Sequence, residues 1–202
     1  LLDHPAIIFT TDHGFYFGEH GYFGKGERSR QGWMHSPLYD EISRVPLLIR
    51  MPGAKSQRIP ALVSQPDLMP TILDMAGVKP PKGIYGKSLL PLMRGSKKPR
   101  HDIVITAWPL YGPGVQATRA VDSVERMVKE HFASTIFDGE WTLLYTAEGG
   151  PAELYHTKRD PQQKNNLIKR NRKKAAEIHA KYIDELKKAG TDERLLAPRR
   201  RL

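Results

Sequence analysis

An acidic residue and a histidine stand side by side just after a short apolar run near the start of the chain. The run covers residues 6–10 (AIIFT), and the pair is Asp12 and His13. A carboxylate beside an imidazole can bind a divalent cation or polarise a water molecule. The next residue, Gly14, lets the backbone turn away closely behind the pair. The same dipeptide also fits a purely structural role as a turn cap, so both interpretations stay open at this point.

A lysine follows within the next segment, where residues 18–25 read GEHGYFGK. The ammonium group of Lys25 offers a compact positive charge and three hydrogen-bond donors, which suit an anionic group held beside a metal. An ordinary surface lysine is the alternative. We expect Asp12, His13 and Lys25 to converge on one shared site for a cation and an anion.

The composition excludes several classes of site. The chain has 202 residues and no cysteine, so disulfides, thiolate metal sites and a cysteine nucleophile are excluded within it. No stretch approaches the ~18 apolar residues that a membrane helix needs. The net charge is +10, and residues 158–202 hold 15 Lys and Arg against 6 Asp and Glu. We interpret this basic segment as a solvated helix face and a frayed tail, not as a nucleic-acid surface.

Strands and helices alternate in the first half of the sequence and give way to hairpins and one helix in the second. This order predicts an α/β layer over residues 1–112 and a small α+β subdomain over 113–202, with a basic tail. The chain opens on Leu1 without a methionine, and we expect it to be part of a longer protein. The predicted elements are strands at 6–10, 45–49, 102–108, 132–137, 141–146 and 153–155, helices at 67–76, 89–93 and 169–189, and a long loop at 15–37.

Several polar and aromatic residues are interpreted as structural. Asp40 and Glu41 precede a predicted strand and are expected to cap or to pair with Arg44. The tryptophans at 108 and 141 are expected in the core. Four histidines lack metal-ligand spacing and are treated as ordinary: His101, His131, His156 and His179.

Six sequence blocks, in order, resemble the sulfatase family of the alkaline-phosphatase superfamily. They read FTTDHGFYFGEHGYFGK (9–25), PLYDEISRVPLLIRMPG (37–53), VSQPDLMPTILDMAGVKPP (63–81), YGKSLLPLMRG (85–95), FDGEWTLLY (137–145) and ELYHTKRDPQQKNNL (153–167). The resemblance covers the C-terminal half of such an enzyme only. It implies a portion of an alkaline-phosphatase-like sandwich with a mainly parallel sheet, followed by antiparallel strands and a helix.

The resemblance also implies roles for individual residues. Asp12 and His13 match two metal ligands of the family, and Lys25 matches its sulfate-contacting lysine, which acts in substrate binding and catalysis. The family metal is usually calcium, which prefers oxygen ligands, so His13 also leaves magnesium or manganese open. Residues 26–36 look like an insertion over the mouth of the site, which makes His35 a candidate substrate contact.

The nucleophile of the family is a formylglycine made in a C/S-x-P-S-R motif, and this sequence has no such motif. The formylglycine is therefore expected in the N-terminal half of the same protein, and this chain alone is expected to be inactive. The resemblance implies a sulfated small molecule or glycan as substrate and a periplasmic, secreted or lysosomal location. Three alternatives stay open: a phosphatase or phosphonate-ester hydrolase of the same superfamily, an inactive binding module, and, ranked last, a polyanion binder.

Overall fold

The computed structural model describes residues 5–29, 32–108, 133–148 and 150–202, with the backbone alone over 26–29 and 32–35. Two compact units divide the chain. The first unit comprises Leu1–His13 and Val45–Val104, and the second comprises Gly14–Arg44 and Ile105–Leu202. The domain boundary predicted between residues 112 and 113 lies outside the described residues and stays a prediction.

Short strands and helices make up the described part of the chain. The strands are β1 (Ile7–Phe9), β2 (Tyr16–Phe17), β3 (Phe23–Gly24), β4 (Gly26–Ser29), β5 (Gly32–His35), β6 (Leu48–Arg50), β7 (Val104–Ala107), β8 (Ser134–Phe137), β9 (Thr142–Tyr145) and β10 (Glu153–Tyr155). The helices are α1 (Asp40–Ser43), α2 (Leu68–Met75), α3 (Leu90–Met93), α4 (Arg172–Lys188) and α5 (Glu193–Leu196), with 3₁₀ turns at Glu19–Gly21, Gln65–Asp67 and Ala197–Arg199.

In the first unit, strands β1 and β6 form a two-stranded antiparallel sheet, with Phe9 opposite Leu48. A mainly parallel sheet is therefore not confirmed for this pair. The apolar run predicted a buried strand, yet the Phe9 and Leu48 side chains are 62% and 60% exposed. A two-stranded ribbon has too few neighbours to cover both of its faces, which is why burial fails here.

Helix α2 confirms the helix predicted at 67–76 to within a residue at each end. The chain enters it through a capping box, in which the Ser64 and Asp67 side chains each bond the other residue's backbone. Gly77 ends the helix in the left-handed region at φ 70°. The apolar side chains of the helix are not all covered within this unit, because Met69 and Ile72 are 47% and 51% exposed.

In the second unit, strands β2 to β5 form a four-stranded sheet in sequence order. The prediction of a long loop over 15–37 is therefore wrong. Strands of two to four residues separated by glycine turns carry no readable period, and Gly21 and Gly24 supply the turns at φ 76° and 72°.

The other sheet of this unit has the strand order β10-β9-β8-β7. The predicted hairpin is confirmed, since β8 and β9 pair antiparallel from Ser134 opposite Tyr145 to Phe137 opposite Thr142. The Asp138 carboxylate closes the turn by accepting from the backbone N–H groups of Glu140 and Trp141, at 3.1 and 2.7 Å. A shared core lies next to these strands and consists of Tyr16, Leu38, Tyr39, Ile42, Leu144 and Tyr155.

Helix α4 packs against β8 and β9. Its buried apolar residues Ala175, Ile178, Tyr182 and Ile183 lie at helical spacing along one face. Within the described residues, no helix combines the length and apolar character that spanning a membrane demands.

The basic end of the chain is not a frayed tail. The Tyr145 hydroxyl donates to the carbonyl oxygens of Arg199 and Arg201, at 3.0 and 2.6 Å. The His179 ring nitrogen Nε2 lies 2.9 Å from the same Arg199 oxygen. Backbone carbonyls, which sequence patterns do not reveal, bind this segment to the sheet and the helix.

Candidate functional site

Asp12 and His13 follow β1 directly, as the sequence predicted. Asp12 Oδ2 lies 3.2 Å from His13 Nε2, and the two side chains are 80% and 25% exposed. Asp12 Oδ1 accepts from the His13 backbone N–H at 2.9 Å and from the Thr11 hydroxyl at 3.2 Å. Desolvation opposes ionisation, but the hydrogen bonds from the His13 amide and the Thr11 hydroxyl together outweigh it and hold the pKa of Asp12 below its ordinary value. The carboxylate is thus anionic and open to a cation.

The backbone carbonyl groups of Thr11 and Asp12 are also hydrogen-bonded. The Gln65 side-chain amide donates to the Thr11 carbonyl oxygen at 2.6 Å and to the Asp12 carbonyl oxygen at 2.8 Å. Gln65 opens the 3₁₀ turn that leads into α2. Sequence reasoning missed this contact, because nothing in the pattern links residues more than fifty positions apart.

Gly14 comes next and lies against helix α1. Its N–H donates to the Ile42 carbonyl oxygen at 3.0 Å. A methyl group added at Gly14 would meet the Glu41 carbonyl oxygen at 1.8 Å, so only glycine fits. The predicted close approach of the backbone behind the acid–histidine pair is confirmed.

Lys25 lies in the second unit, at the turn between β3 and β4. Its backbone is anchored, because the Ser36 hydroxyl donates to the Lys25 carbonyl oxygen at 2.9 Å. The Trp108 indole N–H in turn donates to the Ser36 carbonyl oxygen at 2.9 Å. Asp12 and His13 belong to the first unit, and their convergence with Lys25 stays a prediction. His35 ends strand β5, and its side chain lies outside the described residues.

A second histidine lies in the Lys25 segment and was not singled out from the sequence. The His20 ring stacks on Tyr39 with centroids 3.7 Å apart and planes 5° from parallel. Its Nε2 lies 3.5 Å from Glu41 Oε2. Neighbouring Asp40 pairs with Arg44 at 3.3 Å, as predicted for that acid. Burial raises the pKa of Asp40, and the attraction of Arg44 offsets only part of this effect.

His101 is not an ordinary histidine, because its ring forms a buried hydrogen bond with a carboxylate. Its Nε2 lies 2.9 Å from both carboxylate oxygens of Asp67, and the two side chains are 2% and 0% exposed. Asp67 also accepts the backbone N–H groups of Ser64 and Lys87, at 2.9 and 2.7 Å. Burial opposes ionisation of Asp67, but the bond from His101 and the two amide bonds prevail, so its pKa lies below the ordinary value.

Two of the remaining histidines are described, and His131 lies outside the described residues. His156 pairs with Glu140 at 3.0 Å and contacts Trp141, which is half-buried. Glu140, Trp141 and His156 line an open cleft of about 650 Å³, and among its described lining residues there is none of the four predicted site residues. The remaining lining residues are Arg159, Asp160, Asn165, Leu167 and Asn171.

Asp12 and His13 of the first unit supply only part of the ligands that a metal ion needs. Asp12 and His13 offer one carboxylate and one imidazole, whereas calcium takes six to eight oxygen ligands. Among the described residues, no group of three or more His, Asp or Glu side chains is arranged to hold a metal ion. A metal at Asp12 therefore needs further ligands besides these two residues.

A family model and the relatives of this chain both point to the same family. The model of a family described as "N-sulphoglucosamine sulphohydrolase, C-terminal" matches residues 18–192. The chain is 32% identical over 169 residues to an N-acetylglucosamine-6-O-sulfatase of Bacteroides thetaiotaomicron, an alignment that covers 83% of this chain and 27% of the relative.

Solved structures share the fold. A 2-O GAG sulfatase superposes with a TM-score of 0.71 at 28% identity, covering 94% of this chain and 37% of that one. A phosphonate monoester hydrolase from Silicibacter pomeroyi superposes with a TM-score of 0.61 at 23% identity, covering 91% and 34%. The chain thus spans about a third of the length of the proteins it matches. Mixed α/β architecture of the alkaline-phosphatase-like kind is common to this chain and its solved sulfatase neighbours.

Proposed function

The chain belongs to the sulfatase family, in the group defined by the C-terminal part of N-sulphoglucosamine sulphohydrolase, and from this premise we propose its function. It is the C-terminal portion of a metal-dependent enzyme that hydrolyses sulfate esters. The observation that carries the proposal is the family match over residues 18–192, which contains Lys25. The exposed carboxylate of Asp12 lies shortly before the matched residues.

Asp12 and His13 supply two ligands of the metal, which is calcium, with magnesium or manganese as alternatives. The exposure of the Asp12 carboxylate and its lowered pKa support this role. When bound, the metal lowers the pKa of an attacking hydroxyl and neutralises charge on the sulfate. Asp12 contributes negative charge, while His13 contributes a ring nitrogen.

Lys25 binds the sulfate and stabilises charge on its non-bridging oxygens during the reaction. The bond from Ser36 to the Lys25 carbonyl supports this role, because it fixes the backbone from which the long side chain extends. His35 is a further substrate contact at the end of β5. Both residues act on the substrate, whereas Asp12 and His13 act on the metal.

The N-terminal half of the same protein completes the site and carries the formylglycine. The exposed apolar side chains of the described residues support this, because four aromatic or aliphatic groups are 60% exposed or more: Phe9, Phe17, Phe23 and Leu48. The matched relatives, about three times longer than this chain, support it as well. We infer that the completed sheet is mainly parallel and that residues 1–202 alone turn over no substrate.

The substrate is a sulfated glycan. Support comes from the relatives, whose names specify N-acetylglucosamine-6-O-sulfate and 2-O GAG chemistry. Such substrates fit a periplasmic, secreted or lysosomal enzyme. A phosphonate-ester hydrolase is the second candidate, because one such enzyme shares the fold and because a metal with a lysine suits a phosphoryl group equally well.

The test uses the complete protein with paired aryl sulfate and aryl phosphonate esters. Asp12→Ala and Lys25→Ala should each lower kcat/KM for the sulfate ester by about 100-fold or more, close to 2.7 kcal/mol of transition-state stabilisation. The exposed residues Asp102 and Lys82 provide matched controls as alanine variants. Chelation of the metal should abolish turnover. Losses within about 3-fold would refute the residue assignment, and faster turnover of the phosphonate would establish the second candidate.

A further inference from the structure

We propose that Gln65 is a positioning residue, which aims the Asp12 carboxylate at the metal by holding the backbone on either side of its Cα. The inference rests on the proposed function, in which Asp12 is a metal ligand. It concerns a residue that none of the predicted roles includes.

Gln65 controls the peptide groups of the strand end. Its side-chain nitrogen donates to two consecutive carbonyl oxygens, those of Thr11 at 2.6 Å and Asp12 at 2.8 Å. Both hydrogens of one amide group are thereby used. Two bonds from one rigid group fix the planes of the peptides that flank Asp12, and hence the direction of its Cα–Cβ bond.

The Asp12 side chain has little other support. It is 80% exposed, so packing does not hold it, and its other contacts are with Thr11 and His13 on the same loop. These contacts come from the residues next to Asp12 in the sequence. The two bonds from Gln65, by contrast, come from a residue 53 and 54 positions away in the sequence.

The turn that contains Gln65 is held by several hydrogen bonds. Gln65 begins this 3₁₀ turn, which is locked by the capping box of Ser64 and Asp67. The Asp67 carboxylate is fully buried and is bonded to His101 and to the Lys87 N–H. The Thr71 hydroxyl, itself fully buried, donates to the Asp67 carbonyl oxygen at 2.6 Å. The turn therefore acts as a fixed support from which one side chain reaches the strand end.

Stability alone does not account for this arrangement. Gln65 is exposed, and exposed neutral hydrogen bonds each contribute little to folding. Gln57 provides a matched comparison, since it is also exposed and donates from Nε2 to a backbone carbonyl oxygen, that of Met93, at 2.7 Å. If only folding were involved, loss of either side chain would have the same small effect.

The experiment uses the complete protein and compares Gln65→Met with Gln57→Met and Asp12→Ala. Methionine keeps the length of glutamine without its donors and without a change in charge. Affinity for Ca²⁺, and in parallel for Mg²⁺ and Mn²⁺, is measured by competition with a chelator, alongside kcat and KM. Gln65→Met should weaken cation binding by about 10–100-fold and lower kcat more than it raises KM. Gln57→Met should stay within 2-fold of the wild type.

Gln65→Asn guards against a folding artefact, because it keeps the amide but is one methylene too short to reach both oxygens. It should show the same loss of affinity at an unchanged melting temperature. If Gln65→Met and Gln65→Asn bind the cation within 2-fold while Asp12→Ala loses it, the positioning role is overturned and the proposed function stands. If Asp12→Ala itself binds the cation normally, the proposed metal site is wrong and the positioning role with it.

Discussion

Replacement of Gly14 by alanine tests whether the backbone behind the acid–histidine pair is as tightly confined as the structure indicates. The added methyl group would lie 1.8 Å from the Glu41 carbonyl oxygen, and real contacts of this type stay above 3.0 Å. The two backbone segments must therefore separate by about 1.2 Å. The bond from the Gly14 N–H to the Ile42 carbonyl, now 3.0 Å, would be lost or stretched.

The cost follows from these two effects. Overpacking against backbone that cannot rotate away costs about 1–3 kcal/mol. A lost backbone hydrogen bond adds about 0.5–1.5 kcal/mol. We expect a total of about 3 kcal/mol, which lowers the melting temperature relative to the wild type. Because Gly14 directly follows His13, the same displacement should also lower kcat/KM.

The assay is thermal unfolding of the complete protein, with Gly21→Ala as the control in the same unit. Gly21 has φ 76° and nothing within 4 Å of an added methyl group, so its variant reports backbone strain alone. That strain is worth about 1–2 kcal/mol. Gly14→Ala should be clearly the more damaging change. A Gly14→Ala protein as stable as the wild type within 0.5 kcal/mol would refute the close approach.

Two buried carboxylates give further predictions, both read by denaturant unfolding as a function of pH. His101→Leu should destabilise the protein by about 1–3 kcal/mol near pH 7, because the buried Asp67 carboxylate loses its contact with His101 Nε2 and keeps only its two backbone donors. Lys174→Met should cost about 1–2 kcal/mol, since Asp138 is 6% exposed, loses a 2.8 Å ion pair, and keeps its two backbone donors. The pKa values of Asp67 and Asp138 in the folded protein lie below the ordinary value of 3.8. The stability that their contacts with His101 and Lys174 contribute is therefore present above pH 3.8 and is lost as the pH falls through the lowered pKa values. A gap between variant and wild type that persists unchanged in acid would contradict the assigned contacts.

The elements that could be predicted from the sequence are those with a strong local signal. Helix α4 has 17 residues with apolar positions at helical spacing, and the hairpin of β8 and β9 has an Asp-Gly turn between apolar runs. Strands β2 to β5 could not be predicted, because two to four residues between glycines are too short for alternation to show.

The candidate site divides in the same way. Asp12 and His13 were recognisable because they are adjacent and end an apolar run. The contacts that hold this segment could not be recognised from the sequence. Gln65 bonds a residue 53 positions before it, and His101 bonds an acid 34 positions before it. Contacts of this kind are set by the folded chain and involve residue types with many ordinary uses.

The central claim is that Asp12 and Lys25 serve one reaction, the first through a metal and the second on the sulfate. A double variant, Asp12→Ala with Lys25→Ala, tests it most directly in the complete protein. Residues that act as one catalytic unit are strongly non-additive, so the double variant should lose about as much kcat/KM for an aryl sulfate as the worse single variant. Two independent losses that multiply in the double variant, or no loss in either single variant, would contradict the account.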